Sequence, residues 1–281
     1  MTRAQCATLE WQVTEHAASS ENSQSSLEAG APQPSIEPEV LWEDEHLLAV
    51  NKPSGLVTHP TYKHPDGTLA DGVFARQASR GEGRPWLLHR LDRDTSGVLL
   101  FAKTEQARRS LVRQFEQRTI RKHYLGLAAD LLDPPEGIVE APLARDPLDR
   151  RRVIVDPAGQ AASTSYHTLA TREGYALVLA QPHTGRTHQI RAHLASLGAP
   201  LVGDGSYLPA EHRAAGIAAR AMLHAWRLGF IYPGAQRRVR LEAPIPDDMR
   251  ALLRQLGFDA PETLQSSDDT FEEAIGGTYI A

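Results

Sequence analysis

The chain has 281 residues, 41 % hydrophobic and 23 % charged, with a formal net charge of −5. That balance is ordinary for a soluble globular protein of one large domain or two small ones. The lone Cys6 excludes an intramolecular disulfide and a cysteine-based structural zinc site, and no run approaches a membrane-spanning length.

The charge is unevenly distributed. Residues 47–256 hold 20 acidic and 29 basic side chains, a net of +9, so the body is cationic and the ends are acidic. A cationic body suits a polyanion such as RNA. Most of the basic residues are Arg, whose planar fork pairs with phosphate and stacks on bases. Ala is abundant too, however, and genome composition can produce the same bias.

In chain order, residues 16–38 are rich in Ser, Glu, Ala, Pro and Gln and have almost no large apolar side chains. Such a segment cannot offset its ordering entropy, so a disordered acidic extension is expected over 1–38. Nothing near the N-terminus has the layout of a signal peptide, so a cytoplasmic location is expected. Val40-Leu41-Trp42 and Leu47-Leu48-Ala49-Val50, separated by Glu43-Asp44-Glu45-His46, form a hairpin pattern. Asp92 stands between Arg90 and Arg93, before the D-T-S-G turn signal and the apolar run Val98-Leu99-Leu100-Phe101. It should therefore occupy the tip of a strand-turn-strand unit, where a reactive side chain can meet a substrate. Asp94 begins that turn and is expected to bond local backbone N–H groups.

After Thr104, a candidate N-cap, Ala107, Leu111 and Phe115 recur at helical spacing with Arg108, Arg109 and Arg113 among them. Residues 120–129, 152–155, 163–170, 174–181, 222–232 and 238–243 read as strands. A helix starting near Thr187 would align Ile190, Leu194 and Leu197 as its core stripe, with Arg191 at the border. A last helix from Asp247 places Met249, Leu252, Leu253 and Leu256 on one face and stops at Gly257. Many strands and few helices predict an α+β body over 39–257 with a largely antiparallel sheet. A disordered acidic tail is expected over 258–281.

Two alternative chemistries fail on geometry. His183, His188 and His193 recur every five residues, whereas a zinc helix presents ligands at i and i+4. Asp92 and Asp94, as i, i+2 neighbours in a tight turn, are poorly placed to face each other across a glycosidic bond.

The run Leu88-His89-Arg90-Leu91-Asp92-Arg93-Asp94-Thr95-Ser96-Gly97-Val98-Leu99-Leu100-Phe101-Ala102-Lys103-Thr104 resembles the signature of the RluA-type pseudouridine synthases. Four further segments match in the order that family shows them: Asn51–Pro60, Thr184–Arg191 with Pro200–Asp204, Leu223-His224-Ala225 and Ala243–Pro246. Together they span about residues 40–250. The resemblance implies a mixed, mostly antiparallel central sheet with flanking helices and a catalytic cleft. It also implies an isomerase that detaches uracil from its ribose, rotates it and rejoins it through a ring carbon. That reaction involves no redox change and breaks no phosphate bond, so no cofactor and no metal are expected.

By the same resemblance Asp92 is the catalytic carboxylate, acting as nucleophile or as base. Arg191 pairs with it, and a neighbouring guanidinium favours the ionised form. Tyr124, in the K-x-Y element, lies against the uracil and helps remove the ring proton. Arg90 fills the gap that an extruded uridine leaves in the base stack. His89, which is more a loop holder, joins Arg90, Arg186, His188 and Gln189 as candidates for substrate contact. The expected partner is RNA, ribosomal or transfer, with no membrane and no second subunit. Some RluA-type enzymes carry a small RNA-binding domain ahead of the catalytic one, and the extension here is too short and polar for it. A non-catalytic RNA-binding assembly factor is the alternative, against which the joint presence of Asp92, Tyr124 and Arg191 weighs.

Overall fold

The computed structural model describes residues 36–210, 216–235 and 237–258. The acidic extension and tail expected from the sequence lie almost entirely outside the described residues. The body reaches slightly past its expected limits, because Ile36 packs on the core and Phe258 is buried within it.

The chain opens with the expected hairpin, β1 (Glu39–Glu43) and β2 (Leu47–Lys52). Its turn closes because Asp44 Oδ1 accepts from the backbone N–H groups of both His46 and Leu47, each at 2.8 Å. Helix α1 (Leu69–Ser79) was not anticipated, although its start signal is present in the sequence. Thr68 caps it reciprocally with Asp71, whose carboxylate accepts from Thr68 N at 2.9 Å. The arm leading to Asp92 is short, β3 (Trp86–Leu87), and is followed by the buried β4 (Ser96–Ala102). Helix α2 (Glu105–Glu116) starts at Thr104 as expected, and Ala107 and Leu111 are its buried residues from the predicted stripe.

The remaining strands are β5 (Arg121–Ala128), β6 (Glu136–Glu140), β7 (Leu143–Arg145), β8 (Val153–Val155), β9 (Ser163–Arg172) and β10 (Tyr175–Pro182). Helix α3 (Gln189–Ser196) precedes β11 (Leu223–Ile231), β12 (Arg238–Glu242) and α4 (Asp247–Gln255). β6 and β7 escaped the sequence reading because each is short and Pro142 separates them. The predicted stripe of α3 needs one correction. Ile190 and Leu194 are buried, but Leu197 is 40 % exposed because the helix ends at Ser196.

One ten-stranded sheet runs β1-β2-β4-β11-β5-β10-β9-β6, with β3 added on β4 and β12 on β11. Among the described residues only the β4–β11 pair is parallel, so the sheet is mixed and mostly antiparallel as expected for an α+β protein. β7 and β8 form a separate hairpin. Alternation along the strands sends successive side chains to opposite faces. Leu48, Val50, Leu99 and Phe101 pack with α1, whereas Leu47, Ala49, Val98 and Leu100 pack with α2. Farther along, Ala128, Ala176 and Val178 meet α3, while Leu125, Leu127 and Leu177 meet α4. Tyr124 touches the clusters under both α1 and α3, so it marks the seam between them.

Candidate active site

Four adjacent strands at the centre of the sheet supply the site. Asp92 precedes β4, Leu223 opens β11, Tyr124 lies on β5, and Thr184 follows β10; all four line a cavity of ≈ 300 Å³. Between β3 and β4, the loop carrying Asp92 has each carbonyl from residue 91 to 94 satisfied. Thr58 Oγ1 donates to Leu91 O at 2.7 Å and accepts from Leu91 N at 3.3 Å. Thr95 N donates to Asp92 O at 3.2 Å. The fully buried Lys52 Nζ donates to Arg93 O at 2.8 Å and also to Pro53 O and Leu56 O. Burial pushes its pKa down to about 7, against the pull of Asp94 and Asp92. Arg220 Nη1 reaches Asp94 O at 3.1 Å while its other nitrogens grip Asp248 of α4 at 2.6 and 3.0 Å. A backbone held at four successive points from three directions presents its side chain in one geometry.

Asp92 Oδ2 lies 3.5 Å from Arg191 Nη1 and 3.9 Å from His188 Nε2. Arg191 in turn is fixed by the fully buried Asp204, with Nε at 2.6 Å and Nη2 at 2.7 Å from its two oxygens. This bidentate fork leaves the third nitrogen, Nη1, directed at Asp92. Burial would lower the Arg191 pKa, but Asp204 and then Asp92 raise it, so the charge is permanent. The Tyr207 ring sits 5.2 Å from the Arg191 guanidinium, and its hydroxyl lies 3.2 Å from His188 Nδ1. His188 adopts the left-handed conformation (φ 54°) at the N-terminus of α3, a strained setting for a non-glycine residue. Burial lowers its pKa, only partly offset by Asp92, which favours the neutral ring.

Tyr124 faces the same cavity. Burial, and secondarily the charge of Asp92, push its hydroxyl above the ordinary phenol range. It therefore enters any proton transfer as a neutral phenol. Lys122 lines the cavity as well and donates to Thr184 O at 2.9 Å, with its pKa pushed down to about 8 by burial and then by Arg118. Leu88, Phe115, Ile190 and Leu223 supply apolar wall. A carboxylate beside a fixed guanidinium, a phenol and apolar walls suits a flat base held next to a sugar.

A family model described as RNA pseudouridylate synthase matches residues 46–196, which contain Asp92, Tyr124 and Arg191. The chain belongs to the RNA pseudouridylate synthase family. A Chloroflexus aurantiacus protein named as an uncharacterized RNA pseudouridine synthase is 48 % identical over 210 residues, covering 73 % of this chain and 65 % of that one. A ribosomal large subunit pseudouridine synthase D from Nitrosomonas europaea is 41 % identical over 224 residues, covering 77 % and 64 %. The chain thus spans about two thirds of the length of these relatives. The solved structure titled human RNA pseudouridylate synthase domain containing 1 superposes with a TM-score of 0.66 at 25 % identity, covering 84 % of this chain and 96 % of that one.

The structure gathers most of the residues singled out in the sequence, and it revises several of their settings. Arg90 lines the cavity and is exposed. His89 holds the loop, its Nε2 accepting from Leu100 N at 3.2 Å, and burial pushes its pKa down to about 3. Gln189 lines the cavity and also anchors the loop. Its Oε1 accepts from Thr184 and Arg186 N, and its Nε2 donates to Ser163 O and Thr164. The Asp94 expectation is also corrected: its carboxylate meets the Arg93 guanidinium at 3.0 and 3.4 Å rather than backbone N–H groups, because the adjacent fork is nearer. His183, His188 and His193 bond different partners, Ser165, Tyr207 and Thr164 respectively.

Asp204 falls within a motif that names no partner for it, and no sequence pattern marks Tyr207 or Arg220. The only signal for Asp204 was its place in the Pro200–Asp204 segment. Arg220 lies just before Leu223-His224-Ala225, with nothing local to mark it.

Proposed function

We propose that this chain isomerises uridine to pseudouridine in structured RNA, with ribosomal RNA as the first candidate substrate. The observation that carries the reading is the Asp92 carboxylate, held 3.5 Å from Arg191 on the wall of a cavity that Tyr124 also lines. Extruding the target base costs a few kcal/mol, and a single uracil ring then fits between the apolar walls. Asp92 acts on the anomeric centre, Arg191 holds its charge, and Tyr124 exchanges the ring proton. Relatives named for the ribosomal large subunit support ribosomal over transfer RNA.

Incubating the purified protein with large-subunit ribosomal RNA transcribed with tritium at uridine ring carbon 5 tests the reading. Tritium release with pseudouridine at defined positions is expected; intact label and unchanged uridine in ribosomal and transfer RNA would refute it. The reaction needs no redox partner and breaks no phosphate bond. Dialysis against a chelator is therefore expected to leave the rate unchanged while the RNA stays folded, and loss restored by zinc would count against the assignment.

A further inference from the structure

A second cavity, ≈ 640 Å³, opens behind the 185–187 segment, between it and the β7–β8 hairpin. Five arginines line it (Arg145, Arg150, Arg151, Arg152 and Arg186) and no carboxylate does. Arg151 is neutralised by Asp149 at 2.9 Å. Arg145, Arg150 and Arg186 have no carboxylate within 4.0 Å among the described residues, and the buried Nε of Arg152 stands 4.0 Å from Asp146 Oδ2 without a hydrogen bond. Five guanidinium groups gathered beside two carboxylates, Asp146 and Asp149, still repel one another, and an anion in their midst relieves that repulsion.

This cavity is joined to the one beside Asp92. Gly185, Arg186 and Thr187 line both. The Tyr207 ring lies 5.2 Å from Arg191, which lines the first cavity, and 5.4 Å from Arg152, which lines the second. Its hydroxyl also clasps Val153 of the hairpin, donating to the carbonyl at 2.9 Å and accepting from the N–H at 3.0 Å. The two cavities are therefore held in fixed register by one side chain.

We propose that the second cavity is a phosphodiester subsite for the nucleotide adjoining the target uridine, gripped by Arg145, Arg150 and Arg152. The proposal rests on the reading of the chain as an RNA uridine isomerase. A strand whose base enters the first cavity continues past Arg186, and its next phosphates meet the arginine forks, which match phosphate oxygens in bidentate fashion. An acidic peptide offers similar charge, but it has no reason to share a wall with a uridine cavity.

The test compares R145Q/R150Q with R108Q/R109Q, which removes two charges from α2, where both arginines already pair with Glu105. Arg145 and Arg150 are exposed, so the first variant should keep the wild-type melting temperature. On a tritium-labelled large-subunit ribosomal RNA transcript, R145Q/R150Q is expected to raise KM about tenfold and leave kcat within about twofold, since phosphate contacts position the substrate. The slope of log affinity against log salt should flatten by about 0.7–0.9 per lost contact. R108Q/R109Q should change KM by less than about threefold, as exposed arginines already paired with a carboxylate contribute little. Equal KM in wild type and R145Q/R150Q, or the same rise in both variants, overturns the subsite. If wild-type protein releases no tritium, the isomerase reading fails. Filter binding of the same transcript then still decides the subsite: weaker retention of R145Q/R150Q supports it and equal retention overturns it.

Discussion

Arg191 divides its guanidinium between two carboxylates, and the division explains why the position calls for arginine. Asp204 takes Nε and Nη2, which locks the plane of the fork and leaves Nη1 for Asp92. A lysine carries the same charge on a flexible stem with no fork to lock. Arg191→Lys is expected to lower kcat by about 10²-fold with a modest change in RNA affinity, as an interaction made mainly in the transition state would. Single-turnover kinetics would show it, and wild-type kcat in that variant would mean the fork is irrelevant. Asp92→Asn keeps the shape and removes the charge; turnover is expected to fall by at least about 10³-fold while binding survives. Substantial tritium release by that variant would move the chemistry to another residue.

Elements matter here through how closely they approach. β4 and β11 pair in parallel, and they come together at Gly97 opposite Ala225. Gly97 has φ +117°, and a Cβ there would collide with the Ala225 carbonyl oxygen. The turn that presents Asp92 and the strand that carries Leu223 therefore meet only if residue 97 lacks a side chain. Gly97→Ala is expected to cost at least about 2 kcal/mol, combining backbone strain with overpacking. Urea unfolding measures it, and an unchanged midpoint would show that the sheet can open without penalty. Helix α4 also acts at a distance: Asp248 holds Arg220, and Arg220 holds the carbonyl of Asp94.

Across the whole molecule, buried neutral histidines make stability depend on pH. His224 is fully buried, with Nδ1 2.9 Å from Ser96 Oγ and Nε2 3.2 Å from Ala243 O. Burial pushes its pKa down to about 4 from 6.5. The unfolded chain therefore binds a proton below 6.5 that the fold refuses until about 4, so stability is fully present above 6.5 and falls as the pH drops. The slope is up to about 1.4 kcal/mol per pH unit for this group. His89 and His123 shift in the same direction, to about 3 and about 4, and contribute less because they are only partly buried by surface area. Denaturant unfolding at about pH 7.5 and about pH 5 should show the loss, and equal stability at both would contradict neutral burial.

The local signals were legible in the sequence because they are local. The D-T-S-G turn, the Thr104 cap and the alternating runs at 163–170 and 174–181 depend on neighbours within a few residues, and each became the expected element. The carboxylate, the phenol and the guanidinium could be named because Asp92, Tyr124 and Arg191 sit in recognisable motifs. Their neighbours could not. Asp204 meets Arg191 across 13 residues, Lys52 meets Arg93 across 41, and Arg220 meets Asp94 across 126. No periodicity or spacing encodes such contacts, because they arise only when the sheet brings β2, β4 and β11 side by side. The same holds for Gln189, whose bonds to Thr184, Ser163 and Thr164 no motif encodes. The sequence alone thus determined the family and the candidate residues that its motifs imply. Tertiary structure decided what holds those residues in place, because the hydrogen bonds and ion pairs that do so join segments distant in the chain.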